Sequence, residues 1–261
     1  MQCDGSVLCM WRRKFMKKKD VASNSMMKKL MCVGLILLVG TVSARASDAG
    51  TFTSVRASHD VALETNPKSG FWQGSDPIFM VNDNFGKLVP GYRTQVFSRW
   101  TKDNLYLLYV CPYEKLHLKP NPSTTTETNQ LWNWDVAEIF IGSDFKNIRH
   151  YKEFEISPQG EWVDLDINLD SPHHENGWTW NSGIQVKARI DRQHKIWYGA
   201  MKIPLAAIDP QPAHAGTMFR VNLFRMQGQP GDQKSLTWQP TMKATFHVPE
   251  HFGRMVLADS R

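Results

Sequence analysis

The fold is decided by residues 131–167, LWNWDVAEIFIGSDFKNIRHYKEFEISPQGEWVDLDI. Ala137, Ile139 and Ile141 recur at every second position, as do Phe154 and Ile156, and then Val163, Leu165 and Ile167. That is the period of strands with one face buried. Ser157-Pro158-Gln159-Gly160 supplies turn chemistry between two of them. The alternation puts Glu138 and Phe140, then Glu153, Glu155, Trp162, Asp164 and Asp166, opposite the apolar face, with Trp132, Trp134 and Asp135 at the entrance. The expectation is an aromatic and acidic surface on a sheet, its acids solvated and Asp164 and Asp166 at a wetted strand edge.

On the N-terminal side, Thr94 to Trp100 and Leu105 to Val110 flank Thr101-Lys102-Asp103-Asn104, which reads as a hairpin. Before it, the apolar cluster of Phe71, Trp72, Ile78, Phe79 and Val81 is broken by Asn66-Pro67, Asp76-Pro77 and Asn84-Phe85-Gly86, which favours short strands. On the C-terminal side, Ile184 to Ile190, Ile196 to Ile203, Met218 to Met226 and Phe252 to Leu257 read as strands, and Pro204 to Ile208 as a short helical turn. Short strands at roughly 8 to 12 residue spacing predict an all-β chain: an antiparallel β-sandwich, jelly-roll-like, of about ten strands.

Charge is unevenly placed. The 261 residues carry a net +6, but residues 1–46 hold nine Lys or Arg against Asp4 and Asp20, leaving 22 basic and 23 acidic residues in the remainder. The basic balance therefore belongs to the leader, and nucleic acid is not an expected partner. Lys28-Lys29, the apolar run from Leu30 to Val42 and Ala44-Arg45-Ala46 make a secretory signal peptide cut after Ala46, with Met26 or Met27 as the true start. The run is shorter than the ~20 residues that cross a bilayer. No stable membrane anchor is expected after cleavage, a retained anchor being the alternative. Cys3, Cys9 and Cys32 fall in the leader and Cys111 is alone in the rest, so no intramolecular disulfide is available there. The expected organisation is a leader over residues 1–46, a linker or frayed first strand over 47–61 and one β domain over 62–258. The expected location is periplasmic or secreted, in a bacterium.

The sequence has no G-x-S-x-G, no G-x-G-x-x-G and no P-loop. His173-His174-Glu175 is too compact for a metal site by itself. Asp164, Asp166 and Asp170 offer hard oxygen ligands suited to calcium, against the plainer reading of an acidic edge. Cys111 ends an apolar strand and reads as an inert buried thiol. Nine Trp fall after residue 46, and Trp132, Trp134, Trp178 and Trp180 sit in polar, irregular context. Aromatic walls with a few convergent polar groups suit a sugar, whose C–H faces rest on rings while its hydroxyls seek carboxylates and amides. The same rings could equally plug the ends of a sandwich.

Trp132-Asn133-Trp134-Asp135-Val136-Ala137-Glu138-Ile139-Phe140-Ile141, and Tyr151-Lys152-Glu153-Phe154-Glu155-Ile156-Ser157-Pro158-Gln159-Gly160 after it, resemble the W-x-x-D-x-x-E-I-F-I and Y-x-E-F-E-x-x-P-x-G signatures of family 9 carbohydrate-binding modules in their DOMON-like branch. Phe219 to Arg225, Trp238-Gln239-Pro240, Phe246 to Gly253 and the hairpin from Trp100 to Tyr106 follow the family's order. The resemblance implies a β-sandwich that binds a saccharide without catalysis, in a slot between two aromatic side chains. Carried over by motif position, Trp132 is the first wall, Glu138 and Glu155 are polar contacts, Asn222 and Phe224 lie on the later ligand-face strand, and Phe246 stands where sugar-binding members carry Trp. A structural calcium is implied without its ligands. The implied partners are a cell-wall or plant polysaccharide and a separate glycoside hydrolase. Two readings stand beside this one: an interaction or structural sandwich without sugar binding, including a haem-holding variant, and a glycosidase using Glu138 and Glu155.

Overall fold

The computed structural model describes residues 50–171 and 178–259. The expected leader, its cleavage after Ala46 and its start at Met26 or Met27, like the segment His173-His174-Glu175, lie outside the described residues. Among the described residues no helix is long and apolar enough to cross a membrane.

Among the described residues, twelve strands are linked by a four-residue helix and two 3₁₀ turns. The strands are β1 (Thr51–Arg56), β2 (Ile78–Met80), β3 (Thr94–Trp100), β4 (Asn104–Pro112), β5 (Val136–Gly142), β6 (His150–Ile156), β7 (Trp162–Asn168), β8 (Gln185–Asp191), β9 (Ile196–Pro204), β10 (Met218–Gln227), β11 (Lys234–Thr237) and β12 (Gly253–Ala258). The helix, α1 (Leu205–Ile208), is the short turn expected after Pro204. One hydrogen-bonded path runs β7-β6-β5-β10-β12-β1-β3-β4-β9-β8, with β11 on β10 and β2 on β3.

The expectation of a wholly antiparallel sheet is corrected at one point: β1 runs parallel to both β12 and β3. Thr51–Arg56, within the segment read as a linker or frayed first strand, thus joins the two halves of the path. Its polar sequence hides this role, because the buried Ser54 is satisfied by the Ser98 hydroxyl at 2.8 Å rather than by apolar neighbours.

The two halves share one core. Leu105, Leu107 and Tyr109 of β4 and Trp197 and Met201 of β9 pack in the same cluster as Ala137, Ile139, Ile141, Phe154, Ile156, Val221 and Leu223 of β5, β6 and β10. The Tyr109 hydroxyl donates to the Glu138 backbone carbonyl at 2.8 Å, tying β4 to β5. Gly199 allows a close approach of β9 to β6, since a Cβ there would meet Ile156 Cγ2 at 3.0 Å and Trp197 Cζ3 at 2.8 Å. The outer face of β4 and β9 is covered as well, by Trp72, Phe71 and Leu63, which explains the continuous apolar run of β4.

The connection from β6 to β7 changes which residues share a face. Ile156 pairs with Trp162 and Glu155 with Val163, so Val163, Leu165 and Ile167 lie beside Glu155, Glu153 and Tyr151, not beside Phe154 and Ile156. Five residues separate the strands, one more than the quoted turn, and one residue inverts the facing of a strand. The expected solvated edge is also half corrected. Asp164 is fully buried and accepts the Ser182 N–H at 2.5 Å, whereas Asp166 is exposed and pairs with Lys152 at 2.6 Å.

Candidate functional site

The site forms on the face of β5, β6 and β10 that points away from the shared core. Glu138 is paired with Glu155 on one side and Phe224 on the other, and Phe140 with Glu153 and Asn222. Directly paired residues point to the same side of a sheet, so these six side chains share a face. Around them lies a second apolar cluster of Leu131, Val136, Tyr151, Val163, Leu165, Trp178 and Phe252. The three glutamates are therefore buried, at 1, 3 and 0 % exposure for Glu138, Glu153 and Glu155, which corrects the expectation of solvated acids.

The cover comes from the far end of the chain. Trp238 N–H donates to the Leu223 carbonyl at 2.9 Å, and the Asn222 amide clamps Gln239, donating to its carbonyl at 2.8 Å and accepting its N–H at 3.0 Å. The Thr241 hydroxyl then donates to the Thr245 carbonyl at 2.9 Å. This folded loop lays Phe246 flat on Phe224, with ring centres 4.3 Å apart and planes 13° from parallel. It also stacks His247 on Phe140 at 5.1 Å, its Nδ1 hydrogen-bonded to the Tyr151 hydroxyl at 2.7 Å.

The entrance is set by Asp135. Its buried carboxylate accepts N–H groups of His117 at 3.0 Å and Gly228 at 2.7 Å, and the Gln227 amide at 3.0 Å, binding two loops to the start of β5. The 3₁₀ turn Leu131–Asn133 just before it buries Leu131 and brings Trp132 to the rim.

Between cover and sheet lies a cavity of about 520 Å³, within the ~300–1,000 Å³ range of small-ligand clefts. Trp132, Phe140 and Phe246 give it ring surface, Glu138 and Glu153 carboxylates, Asn84 and Gln233 amides, and Ser235 and Thr245 hydroxyls. Such a lining can hold a flat, hydroxyl-rich molecule by stacking and hydrogen bonding.

The electrostatics are unusual. Burial pushes the Glu138 and Glu155 carboxyls well above their ordinary range, and their acidic neighbours push the same way. Glu153 is raised, by burial, to about 7. Glu138 Oε1, Glu153 Oε2 and both Glu155 oxygens meet no N–H or hydroxyl donor, and the Glu153 and Glu155 carboxyls lie within hydrogen-bonding reach of each other.

Of the residues expected to contact a ligand, the structure brings Trp132, Glu138 and Phe246 to the cavity wall. Glu155 is fully buried beneath it, Phe224 backs Phe246, and Asn222 spends its amide on Gln239. The sequence reading named no role for Glu153, His247, Asn84 or Gln233. Glu153 and His247 sit inside the quoted motifs; Asn84 and Gln233 lie in turns that carry no such signal. Of the tryptophans in irregular context, Trp134 packs against His117 at 4.4 Å, Trp178 is buried in the second cluster and Trp180 packs on the shared core under Lys152. Burial raises the Cys111 thiol to about 12, leaving it a buried, protonated thiol. The aspartates considered for calcium do not converge, since Asp170 pairs with Arg149 at 2.6 Å, Asp166 with Lys152, and Asp164 faces Ser182.

Residues 72–260 match the family described as "Carbohydrate family 9 binding domain-like". A relative from Arthroderma benhamiae named "Extracellular protein" is 25 % identical over 191 residues, covering 66 % of this chain and 84 % of its own. A family 9 carbohydrate-binding module from Caldicellulosiruptor kristjanssonii, solved with cellotriose, has a TM-score of 0.58 at 11 % identity, covering 81 % of this chain and 95 % of the module. The structure of a family 9 module from that organism with glucose has a TM-score of 0.55 at 11 % identity, with 80 % and 97 % covered.

Proposed function

The chain belongs to the carbohydrate family 9 binding domain-like family, and from that premise we propose that it is an exported, non-catalytic saccharide-binding β-sandwich. The sugar stacks between Trp132 and Phe246, and its hydroxyls meet Glu138, Glu153 and the amides of Asn84 and Gln233. The observation that carries this reading is the cavity itself, in which ring walls and convergent polar groups meet over one sheet face. The solved modules with cellotriose and glucose favour β-linked glucose units as first ligands to try, and the relative's name agrees with export. Polysaccharide of a cell wall and a partner glycoside hydrolase are the wider setting of the same reading.

A glycosidase pair of Glu138 and Glu155 has less support. Such acids flank the scissile bond with ~5 to 9.5 Å between them, whereas these two stand side by side on adjacent strands and Glu155 does not line the cavity. Titration calorimetry with glucose, cellobiose, cellotriose and xylan fragments tests the proposal. Saturable heat with one of them is the expected result, and heat with none would leave the interaction-protein reading in its place.

A further inference from the structure

The wall of the cavity continues into an apolar surface that no element covers. Among the described residues the exposed large apolar side chains are Phe85, Leu88, Phe145, Met218 and Met242. Three of them, Phe85, Leu88 and Met242, belong to one turn and the loop packed on it. Asp83 organises the turn, its carboxylate accepting the Phe85 and Lys87 N–H groups at 2.9 Å each, and Asn82 pairs with Leu88. The turn is bound to the covering loop by the Met242 N–H, which donates to the Asn84 carbonyl at 2.7 Å. Gly86 lies close to Pro240, where an added Cβ would meet the proline ring at 3.7 Å. Asn84 and the stretch from Ala244 to His247 line the cavity, and consecutive Cα atoms stand ~3.8 Å apart. Phe85 and Met242, 58 and 54 % exposed, are thus rooted one and two residues from wall residues. Met242 also holds a left-handed backbone, φ 56°, which is unfavourable for a residue with a Cβ and is ordinarily left to glycine.

We propose that Phe85 and Met242 form an outer platform for a saccharide chain leaving the cavity, so that the ligand is an oligosaccharide or polysaccharide whose further units rest on these two side chains. This rests on the saccharide reading of the cavity and adds the length of the ligand to it. A single exposed apolar side chain calls for no explanation, but a group of them beside a ligand cleft does. The phenyl ring offers a face to the C–H surface of a sugar unit, and the flexible thioether adapts to its irregular outline. Lys87 and Lys243, both exposed, flank the pair and can donate to the hydroxyls of the same unit. The strained backbone of Met242 has a reason here, because strain of this kind is retained where a side chain is held for a ligand.

Calorimetry of the full chain with glucose and xylose, and with the β-linked hexasaccharide of each, tests this. The hexasaccharide is expected to bind more tightly than its monosaccharide, and Phe85→Ala and Met242→Gly are each expected to weaken the hexasaccharide by about threefold to tenfold, the scale of one stacking contact. Both variants should leave the monosaccharide within about twofold. Phe85 is exposed and Met242→Gly relieves strain, so both variants are expected to melt no lower than the wild type. A monosaccharide that binds as tightly as its hexasaccharide would overturn the outer platform while leaving the cavity reading intact, and so would a hexasaccharide affinity unchanged in both variants. Heat with no saccharide would remove the cavity reading and the platform with it. Self-association of the wild type that Phe85→Ala abolishes would assign the surface to a second copy of the chain and overturn the platform as well.

Discussion

Glu138 and Glu155 are directly paired across β5 and β6, yet only Glu138 reaches the cavity. One strand separates a carboxylate that can meet a ligand from one enclosed beneath it. Glu138→Gln is therefore expected to weaken saccharide binding by about fivefold, the scale of a hydrogen bond between neutral groups, while Glu155→Gln leaves it within about twofold. Calorimetry on both variants checks this, and an equal loss in the two would show that Glu155 also acts on the ligand.

Trp132 is a half-buried ring on the cavity wall, and truncating such an aromatic anchor removes both stacking and the exclusion of water. Trp132→Ala is expected to reduce affinity by at least about tenfold, with little change in melting temperature because the side chain is only partly buried. Binding that survives the substitution would move the sugar elsewhere.

Asn222 has a different predicted signature. Its amide holds Gln239 by two hydrogen bonds at the root of the loop that carries Phe246. Asn222→Ala should lower stability by about 1–3 kcal/mol, the cost of leaving buried backbone groups unpaired, and weaken saccharide binding as a consequence. Denaturant titration checks the first effect; a variant as stable as the wild type would make Asn222 a ligand contact instead.

The chain should also lose stability as pH rises. Glu153 moves from an ordinary 4.5 to about 7 on folding, so between those values the folded state holds a proton that the unfolded state has released. The stabilisation is fully present below pH ~4.5 and declines through pH ~7, by on the order of 3 kcal/mol. Glu138 and Glu155, raised in the same direction, extend the decline upward; His247 and Tyr151 are the other titratable groups facing Glu153. Thermal melts from pH 4.5 to 8 measure it, and a melting temperature that climbs over this range would contradict the assignment.

The strands β3, β5 and β7 were legible because apolar residues alternate along them, and β4 because a short continuous apolar run between turn residues reads as a strand buried on both faces. What the sequence concealed has physical causes. The facing of Val163, Leu165 and Ile167 hung on a single residue in the turn at Gly160. Burial of Glu138, Glu153 and Glu155 depended on a loop some 90 residues away, and a polar residue at alternate strand positions reads as solvated until its cover is known. Strand β1 was obscured because a hydroxyl pair, Ser54 with Ser98, stands where apolar contacts would announce a core strand. Within the candidate site, the family motifs carried Trp132, Glu138 and Phe246 to the cavity, but they could not separate lining residues from their support, as Asn222 and Phe224 show.

The most direct measurement is a crystal structure of the chain with bound cellotriose, or with whichever saccharide the calorimetry selects. The account predicts a sugar ring stacked on Trp132, within reach of Phe246, with a hydroxyl hydrogen-bonded to Glu138. A sugar bound at any other surface, with the cavity over β5, β6 and β10 holding only water, would contradict it.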